Sequence, residues 1–426
     1  MENKNKLGLP SVVLYGINCV VGSGIFLLPG NAYKLMGTPI LAVYVFLILI
    51  VMALALCFAE AGSMFGRSGG AYVYAKEAYG NFAGFEVGFM RWCIGMIAWA
   101  TMAVALSTAL SSVWPAASQP FVQKAIAISI IAVLSIVNLI GIDLVKWFNN
   151  LSTVGKMIPL VIVIAMGIFF IKGSNFTQSL DVELNIKSAS QAAILIFYAF
   201  TGFENISIPA GDMENPQKNI PKATIISLVL ISAIYFLIQT ICIGILGTDL
   251  AESATPFADA ATVMFGNVGM VIVTAGTVIS IIGINVANSF AAPKLPVALA
   301  EDGLCPKVLA KKDSRGIPVM AIIVTGTLTI LLTLTGSFVQ LAVIGTIGRL
   351  IGQYIPTCFS VLKLRTRKDL TAGYHAPFGP VLPVFGIVLS VFLITQATGQ
   401  QLLWGFGAAV VGAVIYGMMH VLAKEK

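Results

Sequence analysis

Two glycine-bearing interruptions break apolar segments of the sequence and could expose backbone hydrogen-bonding groups. Gly22-Ser23-Gly24 interrupts the first long apolar segment, and Thr201-Gly202-Phe203 interrupts another, with Gly202 180 residues after Gly22. Unwinding a helix leaves free N–H groups at the start of one half and free carbonyls at the end of the other. The N–H groups favour an anion and the carbonyls favour a cation. Such breaks could bind a zwitterion, with the Ser23 hydroxyl as a further donor.

Some ionisable residues lie inside apolar segments, where a charge is costly and is a functional candidate by default; three of them are Lys156, Glu204 and Arg349. Lys156 lies about two turns into its segment, so its ammonium could act there or extend back to the membrane edge. Glu204 follows the second interruption and could cap free N–H groups or carry a proton. Arg349 could line a vestibule, pair with Glu204, or select an acidic substrate.

The composition is that of a membrane protein. Hydrophobic residues make up 58% and charged residues 10%, with a mean hydropathy of +0.94, whereas a soluble chain has about 25% charged residues. The net charge of +7 resides in short loops and does not indicate nucleic acid. A bilayer core of about 30 Å needs roughly 20 apolar residues of helix. Twelve predicted spans follow in order: 10–36, 39–63, 82–112, 123–142, 150–172, 188–211, 221–246, 261–291, 318–336, 338–362, 380–397 and 401–422.

The basic residues and the two interruptions predict the topology. Eighteen of the 25 Lys and Arg residues fall on the side of the N-terminus and three on the other, which predicts cytoplasmic termini in an inner or plasma membrane. The interruptions lie in spans 1 and 6, so each half has five spans and the second half must be inverted. We predict one transporter domain, 1–426, with repeat A at 10–172, repeat B at 188–362 and extra spans at 380–422. Broken spans at matching positions indicate a transporter's binding site, although glycines could instead mark close helix packing.

Other classes of protein fit the sequence less well. Six cysteines without CxxC spacing and two histidines indicate neither a metal site nor a cofactor. An intramembrane protease would have to use Ser23 with Lys156, and the interruption in span 6 would then have no purpose because it lacks a nucleophile. A channel or receptor would not require paired broken helices. Arg91, with Glu60 and Glu86 at similar depth, is predicted to form a structural cluster. The N-terminus lacks a cleavage site, so span 1 is expected to be uncleaved.

Motifs along nearly the whole chain resemble the amino acid–polyamine–organocation superfamily. They are Gly22-Ser23-Gly24-Ile25-Phe26 with Leu28-Pro29, Ala59-Glu60, Arg67-Ser68-Gly69-Gly70-Ala71-Tyr72-Val73-Tyr74, Phe200-Thr201-Gly202-Phe203-Glu204-Asn205, Glu214-Asn215-Pro216 with Asn219-Ile220-Pro221, Glu301-Asp302-Gly303 and Pro377-Phe378-Gly379-Pro380. The resemblance implies an all-α LeuT-like core of ten spans, plus two more, that carries amino acids by alternating access.

The resemblance also implies a set of site residues. Ser23 and the Gly24 amide would hold the substrate carboxylate, and Asn288 would face the side chain. The substrate ammonium would be held by the carbonyls of Val20, Tyr198 and Thr201. The implied binding residues are Val20, Gly22, Ser23, Gly24, Tyr198, Thr201, Gly202, Phe203 and Asn288. Arginine exchangers of this superfamily carry tryptophans where this chain has Tyr198 and Asn288, so a small or medium neutral L-amino acid is expected.

The coupling residues implied by the resemblance are Lys156, Glu204 and Arg349. Lys156 would replace a sodium ion and bridge spans 1 and 8, which makes the expected transporter independent of sodium, either a proton symporter or an exchanger. An acidic amino acid remains an alternative because of Arg349. A cationic amino acid or polyamine is another, but it would need several pocket carboxylates and only Glu204 has the right depth. A homodimer is left open.

Overall fold

The chain is an all-α, multi-pass membrane protein. A computed structural model describes residues 6–65, 70–141, 145–178 and 180–424, so Arg67-Ser68-Gly69 of the predicted motifs lies outside the described residues. Within them, seven helices are long and apolar enough to cross a membrane, and four more are apolar but shorter. The described chain contains no β-strand, only an isolated bridge between Leu7 and Met213. Helix is present at each of the twelve predicted spans.

The α-helices are α1 (Leu9–Val20), α2 (Ser23–Leu27), α3 (Pro29–Met36), α4 (Ile40–Met64), α5 (Ala71–Tyr79), α6 (Asn81–Leu110), α7 (Pro120–Ile140), α8 (Val145–Gly167), α9 (Ile186–Phe200), α10 (Pro216–Leu246), α11 (Pro256–Ala291), α12 (Lys294–Glu301), α13 (Val319–Thr335), α14 (Phe338–Arg349), α15 (Ile355–Leu364), α16 (Val381–Thr395) and α17 (Gly399–Lys424). Spans 1 to 12 correspond to α1–α3, α4, α6, α7, α8, α9, α10, α11, α13, α14–α15, α16 and α17. A π-helical segment, Leu350–Tyr354, joins α14 to α15 in span 10.

Span 1 is interrupted where the glycines predict it. Helix α1 ends at Val20, and both Val21 and Gly22 have extended dihedral angles. Helix α2 then begins at Ser23, and Leu28 keeps helical dihedral angles between α2 and α3. The residues from Ser23 to Met36 therefore form one nearly continuous half-helix, in which Pro29 removes a single N–H donor.

Span 6 is interrupted at the predicted place, but unlike span 1 it does not continue as a helix after the break. Helix α9 ends at Phe200, Thr201 is extended, and Gly202 adopts a φ of 119°. Only short 3-10 turns follow, at Phe203–Asn205 and Ala210–Asp212. The predicted helix to residue 211 is therefore wrong beyond Phe200. The backbone there closes tighter turns, with the Asn205 amide donating to the Gly202 carbonyl at 2.9 Å and the Ile208 amide to the Asn205 carbonyl at 3.0 Å. These bonds join residues three apart, and runs of them are short.

The contacts between spans come in matching pairs when the first five spans are compared with the next five. Span 1 packs on span 7, and span 6 packs on span 2. Span 5 packs on span 8, and span 10 packs on span 3. Exchanging the first five spans for the next five converts each of these pairs into the other. The inverted repeat itself stays a prediction.

Candidate substrate-binding site

The two interrupted spans approach each other so closely that only glycine fits at the contacts. A Cβ on Gly24 would lie 2.7 Å from the Cα of Ala199 in span 6. A Cβ on Gly202 would collide with the carbonyl oxygen of Cys19 in span 1, and its φ of 119° is itself unfavourable for other residues. The backbones of both breaks are therefore brought together at one place.

A cavity of about 90 Å³ lies between the breaks. Seven of the nine predicted binding residues line it, namely Val20, Gly22, Gly24, Tyr198, Thr201, Gly202 and Asn288. Ser23 and Phe203 do not. The lining also contains residues that the sequence did not indicate: Cys19, Ala98, Met102, Ala199, Asn205 and Ile284. Arg349, predicted as a coupling residue, lines the same cavity.

The start of α2 offers donors for an anion. Its first N–H groups have no intrahelical acceptor, because a helix leaves its first four amides unpaired. The Ser23 and Tyr198 hydroxyls are both buried and lie close to each other. Among the described residues, neither makes a hydrogen bond of regular geometry. Unsatisfied buried hydroxyls are costly, so a carboxylate accepting from this group of donors would be stabilised.

The carbonyls predicted to hold an ammonium group have partial internal partners. The Val20 carbonyl accepts from the Tyr235 hydroxyl at 3.2 Å. The Tyr198 carbonyl accepts from the Thr201 amide at 3.1 Å and from the Thr201 hydroxyl at 2.7 Å. A carbonyl oxygen has two lone pairs, so the Val20 carbonyl keeps one acceptor site for a ligand, while the Tyr198 carbonyl is already used twice.

Lys156 is directed toward the break in span 1. Its side chain is buried, and its ammonium nitrogen donates to the carbonyls of Asn18 and Val21, each at 2.9 Å. The alternative in which Lys156 extends to the membrane edge is not adopted. The predicted bridge to span 8 is not made by the ammonium, because both of its hydrogen bonds go to span 1. Span 5 contacts span 8 one turn earlier, where the Ser152 hydroxyl donates to the Ser280 carbonyl at 3.3 Å. The ammonium therefore occupies the place where free carbonyls of span 1 require a cation.

Glu204 caps the break in span 6 and pairs with Arg349. One carboxylate oxygen accepts from the Gly202 amide at 2.8 Å and from the Tyr354 hydroxyl at 3.0 Å. The other accepts from Arg349 Nε at 3.2 Å, and Arg349 Nη1 donates to the Gly345 carbonyl at 3.2 Å. Of the uses considered for Arg349, the structure shows two, lining a cavity and pairing with Glu204.

The aromatic residues around the span 6 break are mostly helix packing. Phe203 stacks on Tyr354 with ring centroids 5.2 Å apart, and Phe197 stacks on the same ring at 5.7 Å. Phe200 packs edge-on against Tyr235 at 5.0 Å. Tyr198 is the one of these span 6 aromatics that reaches the cavity. The wall of the cavity is accordingly built from small and aliphatic side chains more than from rings.

Comparison with known proteins identifies the family. The sequence profile described as amino acid permease matches residues 7–421. The chain belongs to this amino acid permease family. It is 32% identical over 420 residues to an uncharacterized transporter of Mycobacterium bovis, covering 91% of this chain and 87% of the relative. It is 27% identical over 434 residues to the serine/threonine exchanger SteT of Bacillus subtilis, covering 97% of each chain. The permease is thus a membrane transporter and not an enzyme, and amino acids are its substrate class.

A larger cavity of about 430 Å³ continues from the binding cavity of the permease, and we call it the vestibule. The vestibule extends to Arg91 and Lys294, on the side predicted to be cytoplasmic. The two cavities share six lining residues, namely Cys19, Ala98, Asn205, Ile284, Asn288 and Arg349. Past the break in span 1, in the opposite direction, Phe26 packs on Phe257 and Lys34 forms an ion pair with Glu252 at 2.9 Å. The binding cavity is therefore connected to the vestibule side and covered on the other.

The cluster predicted from Arg91, Glu60 and Glu86 does not form among the described residues of the permease. Arg91 Nη2 donates to the Asn205 side chain at 3.2 Å. Glu60 is fully buried and accepts from Arg365 Nε at 2.7 Å and Nη2 at 2.6 Å. Glu86 faces span 12, where a Cβ on a glycine would meet its carboxylate. Similar depth was misleading because five residues correspond to about 140° around a helix, so Glu86 and Arg91 lie on different faces.

Proposed function

We propose that this permease carries small and medium neutral L-amino acids by alternating access, without sodium, as an exchanger or as a proton symporter. The observation that carries the proposal is the Lys156 ammonium, which lies 2.9 Å from the carbonyls of both Asn18 and Val21. Free carbonyls at a broken span can be satisfied by a bound cation. Here a covalently attached ammonium supplies that charge, so a sodium ion is not needed at this place.

The substrate would lie between the two breaks. Its carboxylate would accept from the first amides of α2 and from the buried Ser23 hydroxyl, which makes no hydrogen bond of regular geometry in the described chain. Its ammonium group would donate to the Val20 carbonyl. The side chain would project toward Asn288 and the aliphatic residues Met102 and Ile284. The seven predicted binding residues that line the cavity are proposed as this site, together with Ser23 at the start of α2. Phe203 would support it through its packing on Tyr354.

The charge arrangement favours a neutral side chain. Arg349 and Glu204 form an ion pair at 3.2 Å beside the cavity, so their charges largely compensate each other. An acidic side chain would have to compete with Glu204 for Arg349, and a basic one with Arg349 for Glu204. The similarity to a serine/threonine exchanger agrees with small neutral substrates and with exchange.

The membrane arrangement is proposed from the basic residues. With 18 of 25 Lys and Arg residues on the side of the N-terminus, both termini would be cytoplasmic and the membrane would be the inner or plasma membrane. The vestibule would then open to the cytoplasm, and the structure would represent an inward-facing conformation. The two halves of five spans would form the inverted repeat that alternating access requires.

Transport in proteoliposomes tests this function. Labelled serine, threonine, alanine, glutamate and arginine would be offered with and without sodium, a pH gradient and internal substrate. We expect saturable uptake of neutral L-amino acids that does not depend on sodium. Stimulation by internal substrate would indicate exchange, and stimulation by an acidic exterior would indicate proton symport. Uptake that rises with sodium, or a clear preference for arginine or putrescine, would contradict the proposal. A preference for glutamate would instead make Arg349 the selecting residue.

A further inference from the structure

The vestibule contains a guanidinium group that the binding site does not use. Arg91 lies in span 3, outside the lining of the binding cavity, and its side chain faces the vestibule. Its Nη2 donates to the neutral side-chain oxygen of Asn205 at 3.2 Å. Among the residues that the structure describes, Arg91 forms no ion pair, since no carboxylate oxygen lies within 4 Å of it. A guanidinium has five N–H donors in one plane, and the Asn205 side chain accepts from one of them.

Glu204 is the carboxylate in the vestibule lining, and its ion pair is with Arg349, whereas its oxygens lie beyond 4 Å from Arg91. Its two oxygens are occupied by Arg349, by the Tyr354 hydroxyl and by the Gly202 amide. With Glu204 paired to Arg349, Arg91 is a cation of the vestibule lining that has no carboxylate within 4 Å among the described residues. A cavity enclosed by apolar helices has a lower effective dielectric constant than water, which strengthens the attraction of such a surface for an anion.

The position of Asn205 links Arg91 to the binding cavity. Asn205 lies at the end of the first turn after the span 6 break and lines both cavities. A carboxylate bound to Arg91 would therefore lie next to a side chain that also lines the binding cavity. A planar guanidinium binds a carboxylate through two parallel hydrogen bonds, which an ammonium group cannot do.

We propose that Arg91 forms a docking site for the substrate α-carboxylate in the vestibule, separate from the site between the breaks. An amino acid arriving from the vestibule side binds Arg91 first and then passes Asn205 to reach the first amides of α2. A departing amino acid takes the reverse path. This inference rests on the proposed function, because it assumes that the substrate is an amino acid. It makes the two faces of the permease unequal, because a substrate arriving from the opposite face does not meet Arg91 before the binding site.

The test is a comparison of the two faces in proteoliposomes sorted by protein orientation. Initial rates of serine exchange would be measured for wild type, Arg91→Gln and Arg91→Lys, with Arg367→Gln as a matched control. Arg367 is an arginine on the same predicted side that pairs with Glu77 and Asp369 and lies outside the vestibule lining. For Arg91→Gln we expect KM at the vestibule face to rise about tenfold, as for the loss of a charge-assisted hydrogen bond. KM at the opposite face should stay within about twofold of wild type, with Arg91→Lys intermediate and Arg367→Gln unchanged at both faces.

A second measurement uses wild-type protein and so does not depend on how the variants fold. Propionate, a carboxylate without an ammonium group, should inhibit exchange from the vestibule face at lower concentration than from the opposite face. Raising the ionic strength should weaken this inhibition, because the attraction is electrostatic. Equal inhibition from both faces, or a KM that rises equally at both faces in Arg91→Gln, would refute the docking site. A wild-type protein that transports no amino acid from either face would instead refute the proposed function.

Discussion

The ammonium nitrogen of Lys156 lies 2.9 Å from the carbonyl oxygen of Val21, the residue at which α1 gives way to the break. A corresponding relationship exists in the second half of the chain, where Arg349 of span 10 pairs with Glu204 directly after the break in span 6. In each half of five spans, a cationic side chain of the fifth span (span 5 or span 10) therefore stabilises the break in the first span (span 1 or span 6). The two cations differ in their partners. Lys156 donates directly to carbonyls at the break in span 1, whereas Arg349 pairs with the Glu204 carboxylate, which in turn accepts from the Gly202 amide at the break in span 6.

Replacing Lys156 should abolish transport while leaving the fold intact. Lys156→Ala leaves the Asn18 and Val21 carbonyls without a cation, so we expect uptake to fall on the order of 100-fold, equal to about 2.7 kcal/mol. Lys156→Arg should also be poor, because a planar guanidinium does not fit a site built for a point charge. Uptake of labelled serine measures the effect, with Lys187→Ala at an exposed position as the control. A Lys156→Ala variant with unchanged rate and pH dependence would show that the ammonium has no part in coupling.

The contact between the breaks should tolerate no side chain at position 24. Gly24→Ala places a Cβ 2.7 Å from the Ala199 backbone, which cannot move as the end of a flexible side chain can. We expect a well-expressed Gly24→Ala or Gly24→Val variant to lose transport. Gly407→Ala in span 12 is the matched control, since a Cβ there meets open space. Normal kinetics in either Gly24 variant would remove the span 1 break from the binding site.

Removing the Ser23 hydroxyl should weaken substrate binding without abolishing it. Ser23→Ala removes one donor from the group proposed to hold the carboxylate, and we expect a cost of about 1–3 kcal/mol in substrate affinity. Equilibrium binding of labelled serine to the detergent-solubilised protein measures this loss. Ser360→Ala is a suitable control, because this buried serine donates to a carbonyl within its own helix, away from both cavities. Equal affinities for wild type and Ser23→Ala would place the carboxylate elsewhere.

The sequence was informative about the breaks and less so about the walls between them. Glycine runs within long apolar segments predicted the interruptions at Gly22 and Gly202, because an unwound backbone needs residues without a Cβ. The lining residues Ala98, Met102 and Ile284 gave no such signal, since an apolar residue in an apolar span does not reveal which face of the helix it occupies. Three roles were possible for Arg349, because the sequence does not give the distance between its side chain and Glu204.

The Glu204–Arg349 pair should behave as one energetic unit. Glu204→Gln leaves a buried guanidinium without its carboxylate, and Arg349→Gln leaves a buried carboxylate without its cation. Breaking a buried pair from one side costs roughly 3–5 kcal/mol, so each single variant should have a lower apparent Tm than wild type. The double variant should lose less than the sum of the two, which a double-mutant cycle on thermal unfolding in detergent measures. Strictly additive losses would mean that the two side chains are not coupled.

Cys19 should report substrate occupancy through its thiol. It is half-buried and lines both the binding cavity and the vestibule, whereas Cys57, Cys242 and Cys358 are buried inside spans. N-ethylmaleimide should therefore inhibit wild-type transport, and the Cys19→Ser variant should resist it. Cys93→Ser is the matched control, because Cys93 is also half-buried but lines an apolar groove between spans 3, 9 and 12. Saturating serine should slow the modification of Cys19, because a substrate between the breaks lies against the same wall. If serine gave no protection while still being transported, the substrate would bind away from Cys19 and the cavity between the breaks would not be its site.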